Sequence, residues 1–372
     1  MTAAEKMLQK ALVGSNLDSR QWNSIQAGLR DRAFFSSQVA SARILHAARE
    51  MAAERAGGNI SASEFRREMR KVLGRDGYDA GDGRGTIKDL MTKARLDVIQ
   101  RTNVEQARGY VHHLEATAPG AVAAFPAQEL VRVRQRKNPR DWRKRWEDNG
   151  GKLYDGRMIA LVDDPIWTAI SAFDNPFPPF DFGSGMGVRA VKKSEAVRLG
   201  VITAGELKEK VDAMREKPAP SFNGSLQAEI PMEDGSPEAR RLKDIFGDQV
   251  RFDGNVAHWQ GELINDVLDG KLAKAKLGRG YDGRNLSISH TIFDEHLHKH
   301  FGDDERDRRN IPLERGDFEL IPAMWRKPDR VTEEHNRDHL EFDTFDGGIL
   351  NLIVDPVKGI SSFWKMKNPG GA

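Results

Sequence analysis

Asp174-Asn175-Pro176-Phe177-Pro178-Pro179-Phe180-Asp181-Phe182-Gly183-Ser184-Gly185-Met186-Gly187-Val188-Arg189 divides the chain in two. The run cannot be helical. Pro176, Pro178 and Pro179 remove backbone donors, fix φ and push their predecessors away from helical angles. Gly183, Gly185 and Gly187 then permit backbone angles that other residues avoid. An extended segment followed by a tight glycine turn is expected. Phe177, Phe180 and Phe182 are too apolar to leave in water, so the segment is expected to dock on the helices before it. A surface loop with stray aromatics is the alternative.

The totals set bounds. A chain of 372 residues suits two or three domains, each with material for a core. A net charge of +2 excludes an overall cationic nucleic-acid coat. Cysteine is absent, which excludes disulfides, thiolate metal sites and a cysteine nucleophile and fits synthesis in a reducing cytoplasm. The first residues lack the apolar core of a signal peptide. No apolar run approaches the roughly 18 residues that a membrane span needs.

Upstream of the opening stretch the pattern is helical. Trp22, Ile25, Leu29, Ala33 and Phe34, then Val39, Ala42, Leu45 and Met51, recur at helical spacing, predicting helix over residues 18–56. Ser61 with Glu64 forms a capping-box signature for a second helix. A third is expected from about Thr86 to His113. Between Leu130 and Trp146 the character changes. Arg132, Arg134, Arg136, Lys137, Arg140, Arg143, Lys144 and Arg145 crowd together, with Trp142 and Trp146 between them. Such a patch can hold phosphate and stack on bases, with Arg134, Arg136 and Lys137 as the contacts. It equally suits docking to an acidic protein.

The run Leu96-Asp97-Val98-Ile99-Gln100-Arg101-Thr102-Asn103-Val104-Glu105-Gln106-Ala107-Arg108-Gly109 resembles a helix of the Mu F-like phage head-morphogenesis proteins. Arg30 to Ser36 is similar to that family's entry helix, and Pro176 to Arg189 to its closing loop. Many relatives carry Cys and His in that loop; here Phe and Gly stand instead, so a metal-stapled version is not expected. The resemblance spans residues 18–215. It implies a minor virion protein, made in the bacterial host cytoplasm, that works beside portal and capsid proteins and accompanies phage DNA.

Residues 216–255 carry breakers in close succession and read as a linker, with a short helix around Glu238 to Phe246. The expected scheme is therefore a mainly α-helical domain over 1–215, a linker over 216–255, and an α+β domain with an antiparallel sheet over 256–372. In that last part, His339 to Phe345 alternates as a strand, Asp346-Gly347-Gly348 signals a hairpin, and Ile349 to Val354 is an apolar strand. Val357 to Met366 follows as another.

Six of ten histidines lie between His290 and His339. On a helix from Thr291, at about 100° per residue, His296 and His300 fall within the apolar stripe and His298 points away. Three roles fit such a pair: hydrogen-bonded core histidines, zinc ligands at i,i+4, or acid and base for a phosphodiester. No HExxH pattern or third metal ligand accompanies them, and no metal or other cofactor is expected.

The run from Ser287 to His300, the run from Phe318 to Val331, and Ser361-Ser362-Phe363-Trp364-Lys365 resemble the barnase/EndoU/colicin/RelE-like nuclease domains found behind Mu F-like head proteins. The resemblance covers residues 256–370. It implies a metal-independent endoribonuclease toxin acting on RNA through the ribose 2′-hydroxyl. His296 or His300 would be base or acid, Lys358, Lys365, Arg326 or Lys327 would neutralise phosphate, and Ser361 or Ser362 would donate hydrogen bonds. Acidic residues slightly outnumber basic ones in this region, which argues for a local RNA contact over a general cationic surface. The alternative is a purely structural virion component whose C-terminal domain is an inactive docking module.

Overall fold

The computed structural model describes residues 1–216, 230–292 and 310–368. Helices and antiparallel sheets are mixed, and the C-terminal region is rich in sheet. The chain divides into two compact units, but not in chain order. Residues 1–7, 51–66 and 83–223 make one, and residues 8–50, 67–82 and 224–372 the other, counting only the described residues of each.

The first unit holds the long helix Lys93–Ala116, capped by the Thr92 hydroxyl on Arg95 N. The expected start near Thr86 moves to Lys93, because Thr86, Asp89 and Thr92 bond to one another's backbone in successive turns instead. Strands β1 (Ala127–Arg132), β2 (Leu153–Tyr154), β3 (Arg157–Leu161) and β4 (Met186–Val191) form an antiparallel sheet ordered β2-β3-β1-β4. The opening stretch docks as its composition demands. Phe177 is buried edge-on against Tyr110 at 5.7 Å, and Phe180 stacks on Trp167 at 5.9 Å. Gly109 lets the loop lie on the helix, since a Cβ there would sit 1.9 Å from Pro178 O. Phe182, by contrast, is 40 % exposed.

In the second unit the expected helix over 18–56 is broken into Ser19–Asn23, Ala27–Asp31 and Ala42–Gly57, the last of which runs on beyond the unit. The interruption is non-local in origin: Ala33–Phe34 pairs in parallel with Ala11–Leu12, which costs the helix its continuity. Residues 230–255, expected as linker with a short helix, hold that helix at Pro237–Phe246, but they also form the strand Val250–Asp253, paired with Val256–Trp259. Their apolar side chains share one core with the N-terminal segment. Trp22 stacks near Trp259 at 6.2 Å, and Trp259 Nε1 donates to Leu29 O at 2.7 Å. Each buried aromatic of this kind contributes about 1.5–3 kcal/mol. Residues 256–372 are therefore not a self-contained piece: part of their core comes from residues 11–33.

The C-terminal sheet follows the expected hairpin signals. Strands β5 (Asn310–Ile311), β6 (Arg330–Glu334), β7 (Arg337–Asp343), β8 (Gly348–Asp355) and β9 (Gly359–Lys367) are antiparallel, in the order β5-β9-β8-β7-β6. Leu340, Leu350, Leu352 and Phe363 cover a core completed by Phe318, Met324, Trp325, Ile264, Leu277 and Leu286. Alternation places the intervening residues of β7, β8 and β9 on the outer face.

Candidate functional site

Within the second unit, the described residues that the sequence singled out do not meet at one place. His296 and His300 lie outside the described residues. Lys365 sits on the core side of β9, 4 % exposed, with its Nζ 3.0 Å from Asp317 Oδ1 and 2.8 Å from Asp346 Oδ2. Burial opposes its charge, yet the two carboxylates outweigh it and raise the ammonium pKa. Held by two acids and itself 4 % exposed, this cation acts as a counter-ion to Asp317 and Asp346 and has little left to offer a phosphate. Ser362 is three residues away on β9 and so on the opposite face, half-buried. Ser361 Oγ turns back to Ile353 O at 3.4 Å. Lys358 is exposed in the β8–β9 turn, where Asp355 Oδ1 accepts from its backbone N at 2.9 Å. Its neighbours Lys274, Arg284 and Ser287 line a recess of about 260 Å³ with it. Arg326 is half-buried, its pKa lowered by burial against the pull of Asp248, and Lys327 is exposed. In the first unit, Arg134 pairs with Glu105 at 2.6 Å, Arg136 lies along the Gly183–Gly185 turn, and Lys137 is exposed.

Behind Lys365 lies a buried polar cluster that sequence reasoning missed. Arg49 pairs with Glu319 through Nη1, gives a second bond to Lys10 O at 2.9 Å, and meets Glu50 Oε1 through Nη2 at 2.9 Å. Asn265 Nδ2 serves the other Glu319 oxygen at 2.9 Å. His46 is sealed beside them. Among the described residues neither of its ring nitrogens has a hydrogen-bond partner, Glu50 Oε1 is 3.6 Å away, and Phe345 presents its ring at 5.4 Å. Burial, then Arg49 and Lys365, hold its pKa well below the ordinary value, so it is neutral. Gly316 closes the cluster, since a Cβ on it would lie 2.7 Å from His46 Nε2.

The outer face of the sheet is differently built. Thr332, His339, Ile353 and Ser362 form one cross-strand row over β6, β7, β8 and β9. Arg330, Glu341, Asn351 and Trp364 form the next. His339 Nε2 is 3.0 Å from Asn351 Oδ1, and the ring lies 5.5 Å from Trp364 at a 31° tilt. Asn351 Nδ2 donates to Ile349 O at 3.0 Å, which fixes the amide so that Oδ1, an acceptor, faces the imidazole. Neutral His339 then carries its proton on Nε2 and donates it to Oδ1. Nδ1 is left with its lone pair and with no protein partner among the described residues. Arg330 is committed to Glu341 and to Asp343 at 2.7 Å, so among the described residues the uncommitted donors of these two rows are the Thr332 and Ser362 hydroxyls and the Trp364 indole N–H. Chemically, the face offers an oriented proton acceptor, an indole to stack on, and neutral hydroxyl and indole donors.

Among the described residues no group of acidic and histidine side chains is arranged to hold a metal ion, and no helix is long and apolar enough to cross a membrane. No family model, no curated protein and no solved structure matches the chain.

Proposed function

We propose that the protein is a minor virion component of the Mu F-like kind whose sheet-bearing C-terminal region cleaves RNA without a metal ion. Portal and capsid proteins are then its assembly partners, and RNA its substrate. The head-protein half of this reading rests on the motif order from Arg30 to Arg189. The catalytic half rests on one observation: the Asn351 amide locks His339 into the tautomer whose free nitrogen, Nδ1, is a base.

In this reading Nδ1 takes the ribose 2′-hydroxyl proton and O2′ attacks phosphorus. The P–O5′ bond breaks, and the 5′-oxygen leaves with a proton taken from water. The products are a 2′,3′-cyclic phosphate and a 5′-hydroxyl. Ser362 and Thr332 donate to the phosphoryl oxygens, and Trp364 offers a base-stacking surface. His339 replaces Lys365 as the central residue, because burial and two carboxylates disqualify the lysine.

A second reading, an inactive docking module, is favoured by the dispersal of Lys358, Ser362 and Lys365 over different faces. The full chain, incubated with single-stranded RNA in the presence of a chelator, separates the two. The expected result is cleavage to cyclic-phosphate ends, inert DNA of the same sequence, and a loss of about 10²–10⁴ in rate for His339→Ala. A wild-type chain that leaves RNA intact with and without added metal ions supports the docking module and removes the nuclease.

A further inference from the structure

The first unit carries a cationic site that RNA cleavage does not use. β1 ends at Arg132, and Val133-Arg134-Gln135-Arg136 continues along the glycine turn, with Val133 N and Arg134 N both donating to Gly185 O at 2.9 and 3.0 Å. Gly185 is required there, at φ +69°, because a Cβ would lie 2.5 Å from Arg134 O and 3.1 Å from Arg136 Nε. The helix Lys93–Ala116 adds Arg101 and Glu105, one turn apart. Glu105 is taken by Arg134 at 2.6 Å. Arg101, Arg132 and Arg136 have no acid partner among the described residues, and Arg136 Nε is buried without a hydrogen bond. Four guanidinium groups thus share one carboxylate. Their mutual repulsion is felt: burial, then Arg134 and Arg101, push the Arg136 pKa down, against Glu105.

Such a cluster attracts anions. Guanidinium forks match phosphate oxygens two at a time, which favours a phosphodiester over isolated carboxylates. The same turn also presents Phe182. Its ring is 40 % exposed and is propped edge-on by Phe173 at 4.7 Å. Arg140 holds its carbonyl through both terminal nitrogens at 3.3 Å. A fixed, exposed aromatic beside phosphate-binding arginines is what an unpaired base needs and what a closed duplex cannot use.

We infer that Arg101, Arg132, Arg134 and Arg136, with Phe182, bind single-stranded nucleic acid, phosphates on the guanidinium groups and a base on the Phe182 ring. The site is independent of His339 and of RNA cleavage.

The test is fluorescence anisotropy on the full chain carrying His339→Ala, so that no RNA is cut. Labelled single-stranded RNA and DNA 12-mers, the matching duplex, and polyglutamate as competitor are the probes. Both single strands are expected to bind more tightly than the duplex. Arg132→Ala with Arg136→Ala should weaken them at least tenfold and reduce the slope of log K against log salt by about 1.4, two phosphates at roughly 0.7 each. Phe182→Ala should cost at least about fivefold on single strands and nothing on the duplex. Arg101→Ala, on the helix and away from the turn, repeats the charge test should the turn variants unfold. Arg143→Ala, an exposed arginine paired to Glu147 at 3.3 Å, should change nothing. No binding at low salt, unchanged slopes, or polyglutamate displacing the strands at equal charge concentration would each overturn the proposal. The first two results would leave the cleavage assay untouched.

Discussion

The two faces of the C-terminal sheet handle polar chemistry in opposite ways. On the core side, Lys365 and Asp317 neutralise each other out of water, Asp346 closes the pair from the surface, and Arg49 and Glu319 are paired close by. On the outer side, one residue along the same strand, Trp364 supports an imidazole whose second nitrogen has no partner among the described residues. The inner groups are satisfied and so have nothing left to offer a substrate. The outer one is oriented but incomplete, which is the condition for chemistry. Burial of a charge and availability of a base are thus separated by a single step of strand alternation.

The comparison breaks first, and hardest, on the inner side. Arg49→Met leaves Glu319 buried with no cation, and Lys365→Met does the same to Asp317. Each should destabilise the protein by about 3–5 kcal/mol in urea unfolding of the full chain. Adding Glu319→Leu to Arg49→Met should recover most of the loss, because the cost lies in the uncompensated charge. If Lys365→Met proves neutral in stability yet abolishes RNA cleavage, the assignment of the two faces is reversed.

A smaller effect follows from His46. Its pKa in the folded state lies below the ordinary value, through burial and then Arg49 and Lys365, with Asp346 acting the other way and Glu50 Oε1 3.6 Å off. The unfolded chain therefore takes up a proton first as pH falls. The stability that His46 contributes as a neutral group is present in full above about pH 6.5 and is lost below it, by up to about 1.4 kcal/mol per pH unit. His113, held at about 4 by burial and then by His112, acts in the same direction in the other unit. Denaturation between pH 7 and pH 5 should show His46→Leu to be less pH-dependent than wild type by up to that slope. Equal slopes would mean that His46 is not sealed.

How much of this was legible in the sequence depends on range. The hairpin around Asp346-Gly347-Gly348 and the capping box, in which Ser61 N and Glu64 Oε2 lie 2.7 Å apart, are set by neighbours and read correctly. The continuous helix over 18–56 did not survive, because its interruption depends on Ala11–Leu12, far off in sequence. The site was partly legible. Strand parity alone sends Ser362 and Lys365 to opposite faces and groups Lys365 with Phe363, a signal that the expectation of a shared site overlooked. Asn351, one polar residue in the apolar run Ile349 to Val354, was the available signal for the outer site. The Arg49–Glu319 pair had no local signal, since its partners stand 270 residues apart.

The smallest expected effect sharpens the outer face. Ser362 is half-buried, makes no hydrogen bond through its side chain among the described residues, and lies across Ile353 from His339. Ser362→Ala should therefore change stability by no more than about 0.5 kcal/mol, the range of an unengaged surface position. If its hydroxyl stabilises phosphoryl oxygens as they gain charge, the variant should still lose kcat at unchanged KM, since the interaction is made in the transition state and not with bound RNA. A rise in KM at constant kcat would assign Ser362 to substrate binding. No change in either would confine the chemistry to His339 and whatever donor Thr332 supplies.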